Sequence, residues 1–462
     1  MGSTLHRGQT PLWEPSPAAV VEALTSLLRS VRSLQLPDDI GDDHPGDGVE
    51  PVALMPDVRL PFGLWTFDLG YDRLLSFLRQ TFALTEAKRG TDEAANLVLF
   101  PYDWRLSNRF NGGRLRCVAE RALERWRDRG GECAEAKLVV IAHSMGGLVA
   151  RWYIDHLGGA EVTRKLITVA TPHRGALSAL EQLVNGVRKG VGPAKLNLTR
   201  FGRSLPSFHQ LLPEYACIAG AAGLSKTSEV TVPELQASMV ADALDFHRQI
   251  DDARADTAST YELHALCGYR QPTAVSARLQ NGRVLPSPTM PDDPLGVDHR
   301  GDATVARLAS APPDVATDSA IIHHFANNHG GLVHSQAVFD EIEGTLTASP
   351  VRYRGDEADL TVAIDEVLGP TEPLHVRAVL SDPHQIALEV SIADQSVGEI
   401  DVVRLVRSEI DYALPGPGLY IVTVRGVGSA RHRVTPITTT VLAWPPESAF
   451  DPDDLAPLQG TD

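Results

Sequence analysis

The sequence predicts an α/β fold, a mostly parallel sheet with helices on both faces, followed by a separate all-β unit. Three observations carry this reading. Short, continuously apolar runs alternate with amphipathic stretches between Leu97 and Val169. After Arg174 helical segments replace the strands until about Tyr261. Beyond about Pro350 the segments become short, alternating and β-branched. A strand buried on both faces needs a continuous apolar run, whereas period-two alternation marks a sheet with one wet face. A length of 462 residues allows more than one domain.

The elements follow in order. Leu97–Phe100 reads as a buried strand, and Gly113–Arg129 as a helix carrying Leu115, Val118, Ala122 and Trp126 at helical spacing. Lys137–Ala142 is the second strand, Met145–Leu157 a helix, and Lys165–Ala170 the third strand. The insertion at about 174–260 reads as a helical cap. It includes FGRSLPSFHQLLPEY, whose apolar groups look exposed, and it offers no confident strand. An insertion of that size between sheet elements usually serves the site. The sheet resumes at Glu262–Gly268, passes through a loop rich in Pro and Asp, and ends at Ala320–Phe325 before a helix over Leu332–Leu346. Residues 1–349 therefore form one unit. Residues 350–445 form a β-sandwich-like unit without a cluster that suggests chemistry, and 446–462 an acidic tail of disordered composition. The shift near Pro350 predicts that proteolysis between Thr345 and Asp356 releases a working core.

Composition narrows the function classes. Lys and Arg number 42 against 59 Asp and Glu, a formal charge of −17, which argues against nucleic acid and anionic membrane surfaces as partners. No apolar run is long enough to span a membrane. The first residues lack a secretory apolar region, which favours the cytoplasm. Cys117, Cys133, Cys217 and Cys267 match no zinc spacing. Cys217 and Cys267 lie in apolar runs and read as buried thiols. A Cys117–Cys133 disulfide stays open.

The chemistry centres on Ala142-His-Ser-Met-Gly-Gly147, set between a strand and a helix. A serine at such an elbow sits on a strained turn with its hydroxyl above the sheet edge, so Ser144 is the expected nucleophile of an α/β-hydrolase. Small residues are expected two before and two after it, and Ala142 stands where glycine is usual. Serine needs a base, and the base a buried carboxylate, in the chain order Ser, Asp, His. Asp302 and His329 each follow a late strand, where an open α/β sheet places its site. Five histidines compete: His299, His323, His324, His329 and His334. Only His329 lies on a polar, glycine-rich loop directly after the strand. Asp298 is the second choice for the carboxylate and reads as facing solvent. His143 reads as a supporting group. The Met145 N–H, at a helix start, is the expected oxyanion donor. No cofactor or metal is expected, since the histidines lack carboxylates at ligand spacing.

With these motifs the chain resembles the lecithin:cholesterol acyltransferase family and its lysosomal phospholipase and bacterial lipase relatives. Phe100–Arg105, Ala142–Gly147, Thr171–Gly175, Pro206–Pro213, Gly301–Val305 and His329 with Leu332, Ser335 and Val338 carry the resemblance, over roughly residues 1–346. It implies acyl transfer from a lipid-like ester to Ser144, and then to water or an alcohol. The cap lacks the long apolar runs of a strongly membrane-seeking lid. Read apart from the family, Asp103 and Arg105 brace the nucleophile loop. In the family a first strand and a Pro-Gly turn precede a Gly and a small polar residue, and Met1–Leu5 resembles the stretch just after that turn. The expectation is a native chain that begins earlier. A different function class stays in play: a hydrolase-fold scaffold whose β unit recognises a partner.

Overall fold

The computed structural model describes residues 2–13, 33–37, 39–56, 58–62, 65–88, 91–189, 196–291, 297–316, 319–348, 358–381, 387–394, 400–405, 408–427 and 434–446. The 446–462 tail lies almost wholly outside them, as does most of the junction near Pro350.

Strands β1 (Ser3–Arg7), β2 (Thr10–Trp13) and β3 (Val49–Leu54) form an antiparallel sheet, and β4 (Val58–Phe62) and β5 (Trp65–Leu69) a hairpin. Helices α1 (Asp72–Thr81) and α2 (Asn108–Arg127) follow. Ser107 caps α2 by accepting a hydrogen bond from the Phe110 N–H. The central sheet begins with β6 (Leu138–His143), then helix α3 (Gly146–Arg151) and β7 (Thr163–Val169). It is completed by β12 (Glu262–Gly268) and β15 (Ile322–Phe325), in the order β15-β12-β7-β6, all parallel. Helix α8 (Gln336–Thr347) closes this part. Alternate residues of β7 feed two cores: Ile167 and Val169 pack with α1 and α8, and Leu166 packs with α2 and α3. That two-sided burial is why the strand sequence is continuously apolar.

Leu97–Phe100, expected as a strand, makes only an isolated bridge between Glu86 and Leu97. The cap also departs from expectation. Helices α4 (Leu177–Asn185), α5 (Thr199–Arg203), α6 (Pro206–His209) and α7 (Ala237–Thr257) are present. Strands β8 (Arg188–Lys189) and β9 (Leu196–Asn197) pair within it, and so do β10 (Ile218–Gly220) and β11 (Gly223–Ser225). The last two join β13 (Ser276–Gln280) and β14 (Arg283–Ser287), a hairpin within the expected loop, in a second four-stranded sheet. Phe201, Leu205, Phe208 and Leu212, which look exposed in the sequence, are buried in the largest core.

The C-terminal unit packs two sheets, β16 (Leu360–Ile364), β18 (Leu374–Leu380) and β21 (Glu409–Tyr412) in one, and β17 (Val367–Leu368), β19 (Leu388–Asp394), β20 (Ile400–Arg404), β22 (Gly418–Gly426) and β23 (Ile437–Ala443) in the other. Inward-facing Val376, Val390, Val422 and Val441 fill the space between them. The unit is not set apart. Leu419, Leu442 and Trp444 belong to the same core as Trp104, Leu177 and Phe201.

Candidate active site

The elbow is built as its sequence requires, with one difference. Ser144 has φ +53°, the left-handed region that a side chain adopts only under constraint. The constraint comes from the neighbouring β7, where Val169 O accepts from the Ser144 N–H, and from Thr171 Oγ1, which donates to Ser144 O. The glycine required by close approach is Gly147, where a Cβ would lie 2.1 Å from Thr171 Oγ1. A Cβ on Gly146, two after the serine, would meet nothing nearer than the Tyr102 hydroxyl at 3.8 Å. Met145 opens α3, so its N–H points out of the helix start beside Ser144.

Asp302 is held in a tight loop. Its Oδ1 accepts from the Thr304 and Val305 N–H groups, and Thr273 Oγ1 accepts from those of Gly301 and Ala303. Gly268, at the end of β12, admits the loop: a Cβ there would lie 2.4 Å from the Asp302 Cβ. His329 donates its N–H to Asp302 O. Asn327 Oδ1 accepts from the Asn328 N–H and Asn328 Oδ1 from the Gly331 N–H, which folds the His329 loop.

The three side chains meet. His329 Nδ1 lies 2.8 Å from Asp302 Oδ2, and His329 Nε2 lies 2.9 Å from Ser144 Oγ. A carboxylate only accepts, so Nδ1 carries the proton and Nε2 is left to accept from the serine hydroxyl. Asp302 and His329 are both buried.

The other candidates lie elsewhere. His323 pairs with Glu341, His324 packs against Tyr269, and His334 ends a short 3-10 turn beyond the loop. Asp298 faces Arg300, whose hydrogen bonds hold its carboxyl below the ordinary range. His299 sits beside it in the loop leading to Gly301. His143 supports His329 from below. Its Nε2–H donates to His329 O at 3.4 Å, and its Nδ1 accepts from the Tyr71 hydroxyl at 3.1 Å. Burial, with His329 alongside, keeps the His143 ring neutral well below the usual histidine range. Among the described residues no group of His, Cys, Asp and Glu is arranged to hold a metal ion.

Two expectations need correction. Asp103 and Arg105 do not brace the nucleophile loop. Fully buried Arg105 bonds Asp103, Asp47 and Leu34 O, and so ties the loop before α2 to residues 34–47. The segment also holds the cap, since Ser207 Oγ donates to Trp104 O and the Asn108 N–H to Gln210 Oε1. The β unit, which reads as chemically blank, contributes to the site's surroundings. Asn328 Nδ2 donates to Thr438 O. A cavity of about 530 Å³ is lined by Asp302 and His329 on one side and by Asp365, His375 and Arg377 on the other. No single motif signals this, because the β residues are scattered over three strands and loops.

A parallel sheet, a strained serine elbow and an aspartate and histidine after successive later strands define an α/β-hydrolase. Residues 79–282 match the lecithin:cholesterol acyltransferase family model. The matched stretch contains Ser144 and the cap and ends before Asp302 and His329. A chain in the crystal structure of the Tle4-Tli4 complex is 12% identical, with TM-score 0.43, covering 76% of this chain and 97% of that one. The Bacillus licheniformis lipase BlEst2 in its propeptide form is 12% identical, with TM-score 0.32, covering 73% and 83%. No curated protein sequence matches this chain. No described helix is long and apolar enough to cross a membrane.

Proposed function

We propose that the protein is a serine acyl hydrolase or acyltransferase that carries the acyl group of a lipid-like ester on Ser144. The continuous hydrogen-bond path from Ser144 Oγ through His329 to Asp302 supports this above all else. His329 Nε2 takes the hydroxyl proton as Oγ attacks the ester carbonyl. The carbonyl oxygen gains the negative charge, and the N–H of Met145, the residue that opens α3, is its donor in this reading. Collapse breaks the ester C–O bond, and the imidazolium returns its proton to the leaving alkoxide. Asp302 stabilises the cation and keeps the ring in the right tautomer. Water or an alcohol then loses a proton to Nε2, attacks the acyl-serine, and frees Ser144 with its proton restored.

The family match of residues 79–282 supports a lipid-like acyl donor. A fluorophosphonate probe tests the reading directly. Labelling at Ser144, with turnover on a chromogenic ester panel from acetate to palmitate, is the expected result. A chain that neither labels nor turns over any ester would be a scaffold, with its β unit as the recognition element. Running the panel with and without an alcohol separates hydrolysis from transfer.

A further inference from the structure

The smaller sheet of the C-terminal unit turns its outer face towards the catalytic loops. Along β18, Leu374 and Val376 point into the sandwich core, so His375 and Arg377 project from the opposite face. Arg377 lies across from Ala363 of β16, and Asp365 and Glu366 follow at the end of that strand. These residues line one side of the cavity of about 530 Å³ whose other side carries Asp302 and His329. Its volume falls within the range of small-molecule sites, roughly 300–1,000 Å³. Arg377 and Asp365 are exposed, and among the described residues their side chains make no hydrogen bond or ion pair. The cap adds Ser178 and Gln182, one turn apart on α4. Gln182 Oε1 is buried and accepts no hydrogen bond among the described residues.

The chemistry of these walls narrows the occupant. An anion would meet Asp365 and Glu366, and a cation would meet Arg377. An apolar alcohol would strip water from all three and return one hydroxyl. A polyol carries no charge, and each of its hydroxyls both donates and accepts. It can donate to Asp365, Glu366 and Gln182 Oε1 and accept from Arg377, while Pro272 and Ile364 meet its C–H faces. We propose that this cavity binds a hydroxyl-rich alcohol, of glycerol or sugar type, and presents it to His329 as the acceptor of the acyl group. The inference rests on the acyl-serine reading above and adds the acceptor class to it. His329 Nε2, which lies 2.9 Å from Ser144 Oγ, takes the proton of one acceptor hydroxyl as that oxygen attacks the acyl carbon. The bond from Ser144 Oγ to the acyl carbon then breaks, and Oγ recovers the proton from the imidazolium, leaving the polyol ester. Arg377 and Asp365 set the identity of the acceptor, and they come from a unit beyond the matched residues 79–282.

The test uses the full chain, with the chromogenic ester it turns over best as acyl donor. Glycerol, glucose and maltose are each compared with 1-butanol at equal molarity, and mass spectrometry counts ester formed against acid released. At least one polyol is expected to raise the ratio of transfer to hydrolysis about tenfold over 1-butanol. Arg377→Ala and Asp365→Ala should each lower that ratio about tenfold, the loss of one hydrogen bond to a charged side chain. Saturation-transfer NMR on Ser144→Ala, with the same polyols and with the zwitterion glycine betaine, reads binding without turnover. The preferred polyol should bind, and bind more weakly once Arg377→Ala is added. Ester turnover with no polyol preference, or a preference that both substitutions leave intact, overturns the inference and leaves the acyl-serine reading standing. A Ser144→Ala chain that binds glycine betaine and no polyol overturns it as well. A chain that turns over no ester removes the acyl-serine reading, and the acceptor role falls with it.

Discussion

Ser144 and Gly147 share one turn, and substitutions at the two should fail in different ways. Ser144→Ala removes the nucleophile and leaves the strained turn with the same backbone demand. It should abolish probe labelling and esterase turnover with an unchanged urea midpoint. Residual turnover in a clean preparation would discard the acyl-serine mechanism. Gly147→Ala drives a methyl into Thr171, where a Cβ would lie 2.1 Å from Oγ1. It should cost about 1–3 kcal/mol by urea titration, while Gly146→Ala stays within about 0.5 kcal/mol. Equal losses at the two would refute the assignment of the close approach. The histidine loop gives a third contrast. His329→Ala should lower kcat/KM on the order of 10³-fold or more, and His334→Ala far less. The reverse order would move the base to His334. The residues that meet at this site are legible in the sequence because each is a short motif at a strand end. The residues that hold them are less so. Thr273 and Tyr71 lie far from the motifs in sequence, and nothing local marks their partners. The steric role of Gly147 depends on how close Thr171 comes, which an elbow pattern does not reveal.

Elements were legible where a local signal was sufficient, and illegible where pairing decided. β6 announces itself by a continuous apolar run, Leu138–Ala142. Leu97–Phe100 carries the same signal yet makes no ladder, because a strand needs a neighbour as well as a composition. The β13–β14 hairpin had a readable mark, Asn281-Gly282, with φ +51° and +73° at the turn. The Pro and Asp residues just beyond it obscured the mark. The cap holds together by burial of polar groups as well as apolar ones. His247 of α7 is buried, and its Nε2–H donates to Gln210 O at 2.8 Å. Burial lowers its pKa to about 4, against about 6.5 in an unfolded chain. The neutral folded state then binds fewer protons than the unfolded chain between those values. Its contribution is present above about pH 6.5 and is lost as pH falls towards 4, roughly 3 kcal/mol in all. Urea midpoints should therefore drop across that window, and His247→Gln should flatten the drop. An equally steep fall in the variant would assign the loss to other groups.

At the scale of the whole molecule, the composition shift near Pro350 reads as a boundary between separable units, and the packing argues otherwise. The largest core runs from Trp104 and Phe201 to Leu442 and Trp444. Gln271 bonds the backbone of Leu360 and Val362, Arg270 and Tyr269 grip Asp359, and β23 lies against the β4–β5 hairpin. Pattern reading could find the second unit, since alternation is local. It could not find the docking, since Trp444 looks like any strand-end aromatic until its neighbours are known. Cutting the chain after residue 349 would expose the Trp444 and Leu442 side of the core and leave Asn328 without Thr438 O beside the histidine loop. A chain of residues 1–349 should therefore aggregate or unfold at far lower urea and label poorly at Ser144, rather than behave as a free core. Because such a truncation could fail through folding alone, Asn328→Asp provides the finer test. It keeps the side-chain oxygen that accepts from the Gly331 N–H and removes the donor to Thr438 O. Losing one such bond at the loop that carries His329 should lower kcat several-fold, with KM and the urea midpoint little changed. A truncated chain that stays folded and labels at the full rate, together with an unaltered kcat in Asn328→Asp, would show that the β unit is carried by the hydrolase without serving its site.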